Sequence, residues 1–101
     1  MRAAGVDIDV DRVADVALVA LSGELDLAAA PRVRAVLHRM VVEGAHEIVV
    51  DLRRIEFLDG SGVNALLRAQ RAAYASSSRV MLCEPRGQPR RLLDLVGVGV
   101  V

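Results

Sequence analysis

Segments with the apolar pattern of strands alternate along the chain with segments that have the pattern of helices, and this order constrains the fold most. Four segments are strand-like: 6–10, 16–23, 47–52 and 79–84. The segment 6–10 alternates apolar and polar residues, as a half-buried edge strand does, whereas 16–23 is apolar almost throughout, which predicts a strand covered on both faces. Strands that alternate with helices predict a largely parallel sheet with right-handed crossovers, and the short link between the first two strands predicts an antiparallel hairpin. We therefore expect an α/β fold with a mixed sheet of four to five strands packed with helices.

Three helices are predicted, one after each of the last three strands. The first should begin near residue 30, with Pro31 in its opening turn, and its apolar residues recur on one face: Val33, Val36, Leu37, Met40 and Val41. The second is expected to begin near residue 61 and the third near residue 89. The closing segment 96–101, "VGVGVV", is a candidate for a fifth, short strand.

Length and composition favour one protein-binding or catalytic domain over a nucleic-acid or membrane-surface protein. The 101 residues predict a single domain, spanning residues 1–101. Only 2% of them are aromatic, which argues against a surface that stacks on nucleic-acid bases. The 13 basic and 13 acidic residues cancel, so no overall field draws the chain to nucleic acid or to an anionic membrane.

Cysteine and histidine are too few for a recognisable metal or redox centre. Cys83 is the only cysteine and lies within an apolar strand, so we interpret it as a small core residue. The spacing of the two histidines along the chain matches no known pattern of zinc ligands. No apolar run approaches the ~20 residues that span a bilayer, and the N-terminus lacks the apolar segment of a signal peptide. We expect a soluble cytoplasmic protein without a metal or cofactor.

The segment 55–70, "IEFLDGSGVNALLRAQ", is the most unusual stretch of the chain. A hydrophobic run ends in Asp59, two glycines flank Ser61, and a helical pattern follows at once. On structural grounds we expect Gly60 to supply an unusual backbone angle, Gly62 to let the helix pack closely on the sheet, and Ser61 to be the N-terminal cap. A helix N-terminus also favours anions, but the chain has neither of the common phosphate-binding glycine motifs.

A catalytic role for this region is less well supported by the sequence than the structural role. Three carboxylates lie near the end of a predicted strand: Asp51, Glu56 and Asp59. They could serve acid–base chemistry, but a solvated loop is the simpler interpretation. Ser61 could also combine with Asp59 and with His38 or His46 in a hydrolase. The surrounding residues do not match the G-x-S-x-G nucleophile elbow, however, because Asp59 stands where its first glycine belongs.

Two motifs together resemble a known family. "LSGELDLAAAPRVRAVL" is followed about twenty-five residues later by "IVVDLRRIEFLDGSGVNALLRA". This arrangement resembles the STAS domain family, and within it the bacterial anti-sigma factor antagonists, whose pattern is a G-E-[LIV]-D turn, a helix, a strand ending in Asp-Leu, a D-S-[ST]-G turn and a second helix. "RRLLDLVG" fits the family's last helix, so the resemblance spans essentially the whole chain and implies a single STAS-like domain.

The resemblance implies a non-enzymatic regulator of transcription that works by partner switching. Such an antagonist binds an anti-sigma factor, often a GHKL-type serine kinase, and so releases a sigma factor. The kinase phosphorylates a serine of the D-S-[ST]-G motif, which breaks the complex, and a phosphatase reverses the modification. A STAS signalling module of a stressosome or transporter-linked type, which binds a nucleotide or small anion at the 59–62 turn, is the alternative.

The chain departs from the family pattern at the phosphorylated position. The residue directly after Asp59 is Gly60, and only Ser61 carries a hydroxyl, so Ser61 is the phosphorylation candidate. Either Ser61 has taken over the role, or the protein is a non-phosphorylatable antagonist; we favour the second. Another departure is Ala29, where many relatives carry a threonine that can cap the first helix. The expected partner-binding residues are Asp26, Asp59, Gly60, Ser61, Gly62, Asn64 and Arg68.

Overall fold

The computed structural model describes residues 5–101, in which strands and helices follow one another in the predicted order. The strands are β1 (Val6–Val13), β2 (Val16–Leu25), β3 (Glu47–Leu58) and β4 (Arg79–Cys83). The helices are α1 (Ala30–Val42), α2 (Gly60–Ala75) and α3 (Gly87–Leu95), and each begins within two residues of its predicted start. None of these helices is both long and apolar enough to cross a membrane.

Within residues 5–101 the strands form one four-stranded mixed sheet in the order β1-β2-β3-β4. β1 and β2 are an antiparallel hairpin, whereas β2 with β3 and β3 with β4 are parallel pairs. The predicted mixed α/β sheet is therefore confirmed. Right-handed crossovers that step in one direction across a sheet place their helices on the same face. α1 and α2 accordingly lie side by side and contact each other.

The two faces of β2 differ in their exposure. Ala17, Val19 and Leu21 are buried beneath the helices, whereas Leu18 between them is 42% exposed. The prediction that β2 is covered on both faces is therefore wrong. α1 and α2 share one face of the sheet, and a short apolar run does not reveal by itself how many of its faces are covered.

Cys83 lies on the uncovered face of the sheet rather than in the core. Its register partner is Asp51, which stands between the buried residues Val50 and Leu52 and therefore points away from the helices. Cys83 is half-buried there. Burial raises the pKa of its thiol, and the negative charges of Asp51 and Glu84 raise it further, so the thiol is protonated at neutral pH.

The core lies between the helices and the covered face of the sheet. Leu37 of α1, Leu66 of α2 and Leu93 of α3 are each at most 1% exposed, and they belong to one cluster with Ile48 and Val50 of β3. Full burial of one such side chain stabilises a fold by about 1.5–3 kcal/mol. The predicted apolar stripe of α1 is confirmed, since three of its five residues are buried and the other two are half-buried.

β3 is longer than predicted, and α3 supports its extension. β4 pairs with β3 only as far as Asp51, whereas β3 continues to Leu58. At Leu58 the side chain of Gln88, in α3, takes the place of a neighbouring strand. Its Oε1 accepts the Leu58 N–H at 2.9 Å, and its Nε2 donates to the Leu58 carbonyl at 2.7 Å. α3 therefore fixes the end of the strand that leads into the 59–62 turn.

The C-terminal residues 96–101 do not form the fifth strand for which they were a candidate. Val101 nevertheless binds the outer edge of β4. The Val101 N–H donates to the Leu82 carbonyl at 2.8 Å, and the Glu84 N–H donates to the Val101 carbonyl at 3.3 Å. These bonds cover part of the strand edge that would otherwise face solvent.

Candidate functional site

The loops after β2 and β3 leave the sheet at adjacent positions. Leu25 and Leu58, the last residues of these parallel strands, are register partners. The Asp59 N–H also donates to the Leu25 carbonyl at 3.4 Å. Asp26 and Asp59, which follow directly, therefore begin two neighbouring loops at the carboxyl edge of the sheet, where sites gather in α/β folds.

Both aspartates bind backbone amides of the helix starts that follow them. Asp59 is the N-terminal cap of α2, and its Oδ1 accepts the Gly62 N–H at 2.9 Å. Asp26 Oδ1 accepts the Ala29 N–H at 3.1 Å, in the turn that leads into α1. Ala29 itself is the first helix's cap residue and makes no side-chain capping bond, consistent with the absence of a threonine there. The two carboxylates thus hold both loops in defined conformations.

Ser61 is not the helix cap, so that prediction is wrong. α2 begins at Gly60, which makes Ser61 the second helical residue and leaves the capping position to Asp59. The Ser61 side chain is half-buried and makes no hydrogen bond to any residue in the described range 5–101. Aspartate caps a helix as well as serine does. Asp59 is the cap because it stands directly before Gly60, the first residue of α2.

The two glycines have different roles. Gly62 is buried, and a Cβ there would overlap the Leu25 carbonyl oxygen and lie 2.5 Å from Leu58 Cδ1. The expected close packing of the helix on the sheet is therefore confirmed. Gly60 is exposed, its φ lies outside the left-handed region, and a Cβ there would have no atom within 4 Å. The prediction of an unusual backbone angle at Gly60 is wrong, and a larger residue fits at this position.

Asn64 and Arg68 are exposed on α2, four residues apart and therefore on one side of the helix. They line a groove of about 650 Å³ between α1 and α2. Two further arginines, Arg34 of α1 and Arg71 of α2, line the same groove and were missed from the sequence. The sequence shows that each arginine lies on a predicted helix. Only the packing of α1 beside α2 brings the two arginines to one groove.

Among the residues of the catalytic interpretations, Asp59 and Ser61 lie in one turn, whereas the others lie elsewhere: Asp51 and Glu56 in β3, His38 in α1 and His46 before β3. Asp51 lies on the uncovered face, where Arg53 Nη2 binds its Oδ2 at 2.8 Å, and these hydrogen bonds lower the pKa of Asp51. His38 is exposed in the groove and His46 is exposed in the turn before β3. No hydrogen bond joins Ser61 to either histidine in the described part of the chain. Residues 5–101 contain no group of three or more histidine, cysteine, aspartate or glutamate side chains that could hold a metal ion.

Comparison with known proteins gives a consistent result. The STAS domain family matches residues 7–100. An anti-sigma F factor antagonist of Paenibacillus polymyxa is 28% identical over 94 residues, which cover 92% of this chain and 80% of that protein. An anti-sigma F factor antagonist of Lysinibacillus sphaericus is 29% identical over 83 residues, covering 81% of this chain and 71% of the relative.

Solved structures agree with the sequence relatives. The anti-sigma factor antagonist SpoIIAA in its unphosphorylated form superposes with a TM-score of 0.80 at 28% identity, over 92% of this chain and 83% of that one. An anti-sigma factor antagonist from Mycobacterium paratuberculosis gives a TM-score of 0.76 at 27% identity, over 92% and 79% of the two chains. Since the family pattern covers nearly all of the described residues, the chain belongs to the STAS domain family.

Proposed function

We propose that the protein is an anti-sigma factor antagonist, which binds an anti-sigma factor and so releases a sigma factor for transcription. Its relatives at 26–29% identity carry this activity in their names. The observation that carries the proposal is the turn capped by Asp59 beside the turn held by Asp26. Two loops fixed in this way lose little conformational freedom on binding, so they suit a protein-recognition surface.

The proposed partner surface consists of these two loops and the exposed start of α2. Asp26 and Asp59 shape the loops, Gly60 and Ser61 present the first turn of the helix, and Asn64 continues the surface. Arg68 lies one turn further along α2. Gly62 contributes by its position, because it is buried and lets α2 approach the ends of β2 and β3.

We further propose that the partner is a serine kinase and that this antagonist resists it. Gly60 occupies the exposed position that follows Asp59, where a kinase would have access, but it has no hydroxyl. Ser61 has the hydroxyl but is half-buried in the first turn of α2. The protein would then bind its partner constitutively and be controlled by its amount, and a phosphatase would act only if Ser61 were the acceptor.

Electrostatics explains why a phosphate in this turn would release the partner. A phosphoserine carries about −1.5 to −2 charges at pH 7. Beside the Asp59 carboxylate it would place like charges together in an interface that excludes water. A loss of about 1.4 kcal/mol of binding free energy already weakens affinity tenfold.

The alternative, an anion or nucleotide site at the 59–62 turn, is less well supported. The Gly62 N–H, one of the amides that an anion would use at this helix start, is already bound by Asp59. The Asp59 carboxylate also repels a phosphate group at short range.

The test is affinity for the anti-sigma factor that the tagged protein captures from its native cell. Asn64→Glu and Arg68→Glu should weaken binding while leaving thermal stability nearly unchanged. Ala75→Glu, at the exposed far end of α2, and Arg91→Glu, on α3, are matched controls that should bind normally. Unchanged affinity in both test variants would contradict this surface. Capture of no anti-sigma factor, together with tight binding of ATP, would favour the alternative.

A further inference from the structure

The groove between α1 and α2 concentrates positive charge in a chain whose formal net charge is zero. Arg34 lines it from α1, and Arg68 and Arg71 line it from α2. None of the described residues that line the groove is an aspartate or glutamate.

The three groove arginines lack partners within the described residues. Arg34, Arg68 and Arg71 make no ion pair there and donate no side-chain hydrogen bond. Within residues 5–101, four other arginines bind a carboxylate: Arg39, Arg53, Arg79 and Arg90. Unpaired arginines also occur elsewhere, at Arg91 for example, but these three converge on one concave surface. Their guanidinium groups are therefore free to bind carboxylates in the bidentate geometry that arginine favours.

The floor of the groove is apolar. Of its apolar lining residues, Leu37 is buried, whereas Val41 and Ala69 are half-buried and offer accessible apolar surface. A groove with an apolar floor between helices is a common receptor for an amphipathic helix of a partner protein. A phosphate-binding site would instead offer converging backbone N–H groups, whereas the positive charge here sits on side chains along the rim.

We infer that this groove docks an acidic amphipathic segment of the anti-sigma factor, with carboxylates on the arginines and apolar side chains on the floor. The inference rests on the proposed function, and it extends the partner surface from the start of α2 across to α1. Asn64 and Arg68 belong to both parts, so the surface is continuous. The occupant is thus a protein segment of defined chemistry, and it contacts α1 as well as α2.

The first experiment measures binding of the captured anti-sigma factor to Arg34→Glu and Arg71→Glu. Neither residue belongs to the loops of the proposed surface. Each substitution should weaken binding at least tenfold at low salt, and the difference from wild type should shrink as salt screens the charges. Arg91→Glu makes the same charge change on α3, outside the groove, and should bind within twofold of wild type. If Arg34→Glu and Arg71→Glu bind as Arg91→Glu does, the groove inference is overturned while the antagonist function stands.

A second experiment does not require the anti-sigma factor. Amide chemical shifts of the ¹⁵N-labelled protein are followed during addition of a synthetic amphipathic helical peptide with glutamates on one face and leucines on the other. We expect shifts clustered on residues 31–41 and 64–72, lost in the Arg34→Glu, Arg71→Glu double variant and absent with a peptide in which lysine replaces glutamate. Shifts outside the groove, or shifts produced by ATP and not by the peptide, would overturn the inference. A positive peptide result with no capture of an anti-sigma factor would instead identify the proposed function as the part that fails.

Discussion

Replacing Gly62 by alanine should destabilise the protein, whereas the same replacement at Gly60, two residues earlier in the helix, should not. At Gly62 the new Cβ would overlap the Leu25 carbonyl oxygen and lie 2.5 Å from Leu58 Cδ1. Carbon atoms in normal contact are about 3.5–4.0 Å apart, so the start of α2 would have to move by about 1 Å. At Gly60 the Cβ would meet no atom within 4 Å.

The expected change in the free energy of unfolding for Gly62→Ala is the sum of two opposing effects. Overpacking of this kind costs about 1–3 kcal/mol, and the better helix propensity of alanine offsets about 0.5–1 kcal/mol. We therefore expect Gly62→Ala to lower the free energy of unfolding by about 1–2 kcal/mol. Gly60→Ala should leave it unchanged or raise it by at most about 1 kcal/mol.

Urea unfolding followed by circular dichroism measures both variants on the same scale. The midpoint should fall for Gly62→Ala without a change in the slope of the transition. Equal midpoints for Gly62→Ala and wild type would refute the argument that close approach of helix and sheet requires a glycine at this position.

Three further predictions concern Gln88, Arg53 and Ser61. Gln88→Ala removes both side-chain bonds to Leu58, and the loss of these bonds should cost about 1–3 kcal/mol in the same assay; an unchanged midpoint would contradict the role of α3 as a support. Since Arg53 holds the pKa of Asp51 below its ordinary value, wild type should be more stable than Arg53→Ala above about pH 4. That difference should vanish as the pH falls through the lowered pKa, and a difference that persists in acid would refute the assignment. Ser61→Ala should change stability by less than about 0.5 kcal/mol, because the hydroxyl caps nothing; a loss near 1 kcal/mol would restore Ser61 as a cap.

The order of elements could be predicted from the sequence because local patterns determine it. Short apolar or alternating segments located the strands, and Pro31 marked the start of α1. The buried and exposed faces of β2 could not be distinguished, because Leu18 and its buried neighbour Val19 are equally apolar. Which face is covered depends on where the crossover helices pack, and that is a property of the whole sheet.

The geometry of the two turns could be predicted in part. The Asp59 turn and its neighbour at Asp26 could be anticipated, since parallel strands bring their following loops together. The capping residue could not be anticipated, because β3 runs to Leu58 and α2 begins at Gly60, one residue before the predicted start at Ser61. Arg34 was also missed, since its relation to α2 exists only once the two helices lie side by side.

The central claim is that this protein is an antagonist whose kinase-accessible position holds a glycine. The most direct test incubates wild type and Gly60→Ser with the captured anti-sigma kinase, Mg²⁺ and ATP, and measures intact mass and partner binding. The substitution fits sterically, because a side chain at residue 60 would point into open space. We predict that wild type gains no phosphate and stays bound, whereas Gly60→Ser gains one phosphate and loses its partner. A phosphate on wild type that maps to Ser61 and releases the partner would contradict the account.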